Sequence, residues 1–220
     1  MDADFWLDRW LKSEIGFHQN EINLHLQKFW PLLNLPSGSR VFVPLCGKSR
    51  DMLWLHEQGH DVIGVEMSPV AVEAFFSENS IPFSVTKYRD FSKYQADGLT
   101  LYCGDFFHLL PEDMRGVNAV FDRGSLIALP PSMRCAYASQ MHAILPHGCK
   151  ILLVTLDYPQ HEMNGPPFSV GDLEVSALYA KTGNVQLLHS ADILDRETRF
   201  REKGLTRLFE KVYLVTHNHG

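Results

Sequence analysis

Apolar residues in this chain recur in two rhythms, and the two alternate. Near the start, Phe5, Trp6 and Trp10 share one helical face, with Leu7 and Leu11 beside it. That spacing predicts a short amphipathic helix. After Gly16 a second helical stretch carries Ile22, Leu24, Leu26, Phe29 and Trp30 and is expected to end at Pro31. Both stretches precede any strand signal, so residues 1–34 are expected to form a helical cap or lid on the domain that follows. Pro36-Ser37-Gly38-Ser39 is a clear break. Compact apolar runs of strand length then occur at 40–45, 61–66, 99–103, 117–122, 150–156, 185–190 and 207–216. Helical spacing fills 50–58, 132–145 and 172–182, and a further helix opens at Ser68-Pro69 with Ser68 as cap and Pro69 in the first turn. Residues 82–98 alternate only loosely, which fits either a hairpin or an irregular excursion.

Strands alternating with helices imply an α/β fold, a mostly parallel sheet covered on both faces. Ligands of such sheets bind beyond the carboxyl ends of the strands, at the point where strand order reverses. With 220 residues, 45% hydrophobic and 21% charged, the chain is long enough for one sizeable core, and a single domain over 1–220 is expected. A net charge of −6 argues against a general binder of nucleic-acid backbone, which needs a basic face. No apolar run approaches the roughly 18 residues of a membrane span. The opening Met1-Asp2-Ala3-Asp4 is acidic where a secretory leader is basic. The four cysteines, Cys46, Cys103, Cys135 and Cys149, form no C-x-x-C pair and read as buried thiols in a reducing, cytoplasmic setting. With no heptad pattern and no obvious edge-pairing segment, a monomer is expected.

The strand ends carry the chemistry. The first runs into Pro44-Leu45-Cys46-Gly47-Lys48-Ser49. Gly47-Lys48-Ser49 resembles the end of a P-loop, but the required earlier glycine position is Phe42, and the G-x-G-x-x-G fingerprint fails too. The second strand ends at Glu66, nineteen residues past Gly47. An acid at that spacing can accept from both ribose hydroxyls; the plain alternative is a solvated acid at the next helix. The third ends at Cys103-Gly104-Asp105-Phe106-Phe107, where Asp105 could accept from an adenine amine, or simply be a turn acid before core phenylalanines. The fourth ends at Asp122-Arg123, which sends a cation into the cleft unless Arg123 pairs with Asp122 or another acid. Acids for ribose and adenine without a phosphate cradle favour an adenosyl group lacking phosphate, above all S-adenosylmethionine. Its sulfonium already activates the methyl, so the protein needs mainly to align the reactants and exclude water.

Trp6 to Trp10, Gly16-Phe17-His18-Gln19, Val41 to Ser49 with Pro-Leu-Cys-Gly-Lys at 44–48, Gly59 to Glu66 ending Ile-Gly-Val-Glu, Tyr102 to Phe107, Phe121 to Leu126, Gly165-Pro166-Pro167-Phe168 and Leu208 to Leu214 follow one another in order along the chain. In these segments the sequence resembles the thiopurine S-methyltransferases of bacteria. The resemblance implies a class I methyltransferase fold (Rossmann-like) with a seven-stranded sheet whose last strand is antiparallel, and S-adenosylmethionine as cofactor. It carries Trp10, Leu45, Glu66 and Arg123 onto cofactor-binding positions and Asp105 and Phe106 to the surroundings of the adenine. It carries Phe17, Arg123 and Arg199 to the side of a small-molecule thiol acceptor. No metal and no general base are implied: His18 is expected to hold the lid, Cys46 needs no nucleophilic role, and His217-Asn218-His219 is expected to be a frayed tail. Competing readings are methylation of selenium or tellurium species, a non-catalytic S-adenosylmethionine-binding regulator, and a nucleotide-dependent enzyme. The missing phosphate glycines count against the last.

Overall fold

The computed structural model describes residues 3–180 and 183–218. Helix α1 (Ala3–Leu11) and helix α2 (Leu24–Phe29) form the cap. Asn23 starts α2, its side-chain oxygen accepting from the backbone N–H groups of His25 and Leu26. The chain does not stop at Pro31. It tightens into a 3-10 turn, Trp30–Leu33, because proline within a first turn has no N–H to lose and a φ already suited to the turn. Asn34 then closes the turn in the left-handed region, with φ of 46°.

The body follows as β1 (Arg40–Val43), α3 (Asp51–Glu57), β2 (Asp61–Glu66), α4 (Pro69–Glu78), β3 (Ser84–Tyr88), β4 (Phe91–Ala96) and β5 (Leu99–Cys103). It continues through β6 (Val117–Arg123), α5 (Pro131–Ile144), β7 (Lys150–Asp157), α6 (Asp172–Tyr179), β8 (Gly183–Asp192), α7 (Thr198–Glu202) and β9 (Phe209–His217). Strand order is β3-β4-β5-β2-β1-β6-β7-β9-β8. The five central strands are parallel, and β9 runs antiparallel to both β7 and β8.

The sheet therefore has nine strands rather than the expected seven. Residues 84–96 form a hairpin, β3–β4, added antiparallel to β5 at one edge. Its pattern is weak for a physical reason. Phe91 packs into the apolar layer on one face and Tyr94 into the layer on the other, while β3 is mostly exposed. No period-2 apolar stripe results. At the other end, His217 closes β9 as a buried residue rather than fraying, and its ring meets that of His142 at 4.8 Å. His219 and Thr182, the last residue of the expected 172–182 helix, lie outside the described residues.

Side chains along β1 alternate between two apolar layers. Val41 and Val43 face α2, α3 and α4, meeting Leu26, Met52, Val72 and Phe75; Phe42 faces α5 and α6, with Tyr137, Met141 and Val175. The cap is thus part of one core layer. Lys150 fastens it from beneath, donating to the Leu33 carbonyl at 2.6 Å.

Gly64 in β2 allows the cleft loop to approach the sheet. A Cβ there would stand 2.8 Å from the Cys46 sulfur and 3.2 Å from Leu101 and Met52 side-chain atoms. Gly64→Ala should overpack this point and cost about 1–3 kcal/mol, read as a lower urea midpoint at unchanged m-value.

Candidate active site

Strand order reverses at β1, whose neighbours are β2 on one side and β6 on the other. The loops leaving the carboxyl ends of β1, β2, β5 and β6 meet there. The β1 loop turns twice through the left-handed region, at Leu45 (φ 44°) and Gly47 (φ 53°). Such a path costs a side-chain-bearing residue energy, and it is held by specific bonds. The Pro44 carbonyl accepts from the buried Ser125 hydroxyl at 2.8 Å, and the Cys46 N–H donates to the Val65 carbonyl at 2.9 Å.

Glu66 is the centre of the arrangement. One carboxylate oxygen accepts from the Gly47 N–H at 2.9 Å and the other from the Ser68 N–H at 2.8 Å. Its backbone carbonyl accepts from the Gly104 N–H at 2.9 Å. Three loops are therefore joined through one residue. Burial raises the Glu66 pKa above its ordinary 4.5, opposed by the backbone N–H groups of Ser68, Gly47 and Met67, which favour the anion. Ser68 also caps α4, its hydroxyl accepting from the Ala71 N–H at 3.3 Å.

Trp10 is buried, and its ring lies over Gly47; a Cβ on Gly47 would come within 3.0 Å of it. Phe17 packs edge-on against Trp10 (5.5 Å between ring centres) and Trp6 (5.3 Å) while staying partly exposed. Arg199 reaches the same segment, donating to the Gly16 carbonyl at 2.8 Å, and also bonds Glu197 at 3.2 Å.

Arg123 emerges from the end of β6 largely buried. Among the described residues its side chain has no hydrogen bond and no ion pair. Asp122 does not pair with it, being bonded instead to the Tyr137 hydroxyl at 2.8 Å. Burial lowers the Arg123 pKa; the charges of Asp51 and Glu210 oppose that shift and Arg199 adds to it. A guanidinium stays protonated regardless, so the cleft contains an unspent cation. His18 nearby is held below its ordinary pKa by burial, then by Lys48, so it is neutral at pH 7. Burial, then the Glu66 charge, pushes the Cys46 thiol well up, away from nucleophilic thiolate.

Asp105 is exposed and caps a 3-10 turn, accepting from the Phe107 N–H at 2.9 Å. Phe106 is buried and stacks on Tyr137, with ring centres 4.9 Å apart. Among the described residues no group of three His, Cys, Asp or Glu side chains is placed to hold a metal. Sequence reasoning missed Asp51 and Glu210. Buried Asp51 accepts from the Asn23 N–H at 2.8 Å, and Glu210 meets His25 at 2.6 Å, so both bind the cap next to Arg123. Ser49-Arg50-Asp51 is the one local signal, since the Ser49 hydroxyl bonds Asp51 at 3.0 Å; the other partners are distant in sequence.

The family model described as thiopurine S-methyltransferase matches residues 1–218. The chain belongs to the thiopurine S-methyltransferase family. Curated members include one from Nitrosospira multiformis, 51% identical over 98% of both chains, and one from Pseudomonas fluorescens (strain Pf0-1), 49% identical over 98% of this chain and 99% of that one. The family is one of S-adenosylmethionine-dependent methyltransferases. Among solved structures, the 1,6-didemethyltoxoflavin-N1-methyltransferase of Burkholderia thailandensis superposes with a TM-score of 0.64 at 14% identity, covering 98% of this chain and 87% of that one. The phosphoethanolamine N-methyltransferase 2 of Haemonchus contortus gives 0.68 at 10% identity, covering 100% and 58%. These likenesses show the class I methyltransferase fold.

One buried acid beneath the cleft gives a pH signature. Burial raises the Asp122 pKa from 3.8 to about 6. The folded state therefore holds this proton more tightly than the unfolded chain. The stability Asp122 contributes is greatest below pH 3.8 and is lost as pH rises through about 6. That interval corresponds to about 3 kcal/mol. Between about pH 3.5 and 7 the unfolding free energy of the wild type should fall by about that amount relative to Asp122→Asn, as read from urea titrations at both pH values.

Proposed function

We propose that this protein transfers the methyl group of S-adenosylmethionine to the sulfur of thiopurines and related aromatic or heterocyclic thiols. The observation that carries the reading is the unpaired, largely buried side chain of Arg123 at the end of β6, close enough to His18 for its charge to act there. A cation so placed, without an internal partner, is a site for an anionic sulfur acceptor. Membership of the family supports the same chemistry.

The residues present fit the cofactor. Each Glu66 carboxylate oxygen uses one hydrogen bond on backbone N–H, which leaves further lone pairs for ribose hydroxyls. Gly47 has no side chain to occupy the space beneath Trp10. Asp105 would accept from the adenine amine beside Phe106, and Trp10 and Leu45 would close over the methionyl side. The cofactor supplies a methyl on a positively charged sulfur, ready for displacement.

Arg123, with Arg199 behind it, would favour the ionised acceptor by Coulomb attraction. The acceptor sulfur lone pair forms the new carbon–sulfur bond in line with the breaking one, whose electrons remain on the departing sulfur. The acceptor proton goes to solvent before transfer. Phe17 and Trp10 would exclude water once both ligands are in place. Neutral His18 belongs to the lid. The cytoplasm is the proposed compartment, supported by the four free cysteines, and a monomer the proposed state. No helix among the described residues is long and apolar enough to cross a membrane.

Methyl-labelled S-adenosylmethionine incubated with 6-mercaptopurine and the purified protein should give the S-methyl product. Arg123→Ala should lower kcat/KM for the thiol by about 100-fold, and Arg123→Lys should restore part of it. Absence of product, with adenosylhomocysteine still bound, would overturn the acceptor assignment.

A further inference from the structure

The hairpin at the sheet edge reaches the loop that follows β5. Tyr88 pairs with Phe91, so the chain reverses through two residues, Arg89 and Asp90. Ser92 pairs with Cys103, and Cys103 with Glu66. The turn therefore sits at the carboxyl ends of β5 and β2, the edge that holds the cleft. Arg89 lies in the left-handed region with φ of 52°, a conformation that costs energy for a residue with a side chain.

Gly104, the first residue of the loop, is wedged between the cleft and the hairpin. Its N–H donates to the Glu66 carbonyl at 2.9 Å, and a Cβ on it would stand 2.6 Å from the Phe91 ring and 3.4 Å from the Asp90 carbonyl oxygen. His108, whose N–H donates to the Asp105 carbonyl at 3.0 Å, meets Asp90 at 3.5 Å. That pair is exposed and worth little. The stronger grip is on Asp113, whose side chain is fully buried. It accepts from the Tyr88 hydroxyl at 2.9 Å, from the Arg89 guanidinium and from the Leu110 N–H at 2.8 Å. Arg89 also donates to Glu112 at 3.1 Å. Asp105 and Phe106 are thus carried on a loop whose start abuts the turn and whose later part is tied to it. Gln140 of α5 holds the same loop independently, donating to the Leu109 carbonyl at 2.8 Å.

A hairpin that only covered the edge of β5 would need no more than its backbone ladder. Here two adjacent side chains at the turn cross to a buried carboxylate in the loop, and an arginine held in a costly conformation supplies the charge that this carboxylate requires. We propose that Arg89 is a positioning residue for the adenine end of the cofactor site: through Asp113, and with Tyr88, it fixes the loop that presents Asp105 and Phe106 to the base. The proposal rests on the S-adenosylmethionine reading above and adds to it the part of the chain that sets recognition of the adenine.

Calorimetry on the full-length protein would compare adenosylhomocysteine with S-inosylhomocysteine, which has a carbonyl where adenine has its amine. The wild type should favour the adenine ligand by at least about tenfold, the worth of a hydrogen bond to a charged group. In Arg89→Met the adenosylhomocysteine Kd should rise about tenfold, since a displaced contact loses its value, and the preference should shrink to about twofold. In turnover, the KM for S-adenosylmethionine should rise by a similar factor while kcat and the KM for 6-mercaptopurine stay at wild-type values. Arg89→Lys, which keeps a charge for Asp113, should restore part of the affinity and of the preference. Should Arg89→Met unfold, Tyr88→Phe removes a single hydrogen bond to Asp113 and should raise the same Kd about threefold. Wild-type affinity and preference in a folded variant, with or without a lower melting temperature, would overturn the proposal and leave the hairpin an edge cover. Failure of the wild type to bind adenosylhomocysteine would overturn the cofactor reading itself, and the proposal with it.

Discussion

The cleft depends on the hydrogen bonds of one buried acid. The Glu66 carboxylate joins the loop after β1 to the start of α4, and its carbonyl takes the N–H of the loop after β5. Each bond satisfies a backbone donor that the parallel sheet leaves unpaired at its carboxyl edge. The β1 loop can then follow a strained path through Leu45 and Gly47, because its carbonyl at Pro44 and its N–H groups at Cys46 and Gly47 are all engaged. An acid on an otherwise apolar strand, costly to bury, is kept by bonds that also shape the space beside it.

The same economy recurs at the end of β6. Asp122 and Arg123 are neighbours in sequence yet face opposite layers: the acid is tied to Tyr137 beneath the sheet, and the cation stays free above it. Arg134, almost fully buried, ties the loop after β6 to the segment before α6. It donates to the Leu129 carbonyl at 2.9 Å, to the Ser169 carbonyl at 3.0 Å and to Glu174 at 2.7 Å. Phe168 lies in that segment, its N–H on the Ile127 carbonyl. The rim of the cleft is thus set by buried polar bonds, while Trp6, Trp10 and Phe17 above it meet through ring contacts, and Arg199 and Arg50 reach the carbonyls of Gly16 and Asn20.

Strand edges inside the parallel core were legible because their residues are apolar on both faces and bounded by glycine or proline. The runs 61–66 and 99–103 match β2 and β5 to the residue, and Ser68-Pro69 opens α4 as its cap and first turn. The β3–β4 hairpin was not legible, since its aromatics go to different layers and its outer strand buries little. Glu66 could be singled out because a strand-end acid follows a turn glycine at a meaningful spacing. Its grip on the Gly47 N–H could not, nor could the Asp51 and Glu210 bonds to the cap. Those pairings span 19, 28 and 185 positions, and only the folded chain brings them together.

We propose that Glu66, by shaping the β1 loop and offering its remaining lone pairs, forms the cofactor site. The direct measurement is adenosylhomocysteine affinity, by calorimetry, for the wild type and for Glu66→Gln, with circular dichroism confirming the fold of each. The glutamine can accept with one oxygen only and turns an N–H donor toward another donor. The account predicts at least a roughly tenfold weaker Kd, a loss near 1.4 kcal/mol, in a folded protein. Wild-type affinity in the folded variant would contradict it.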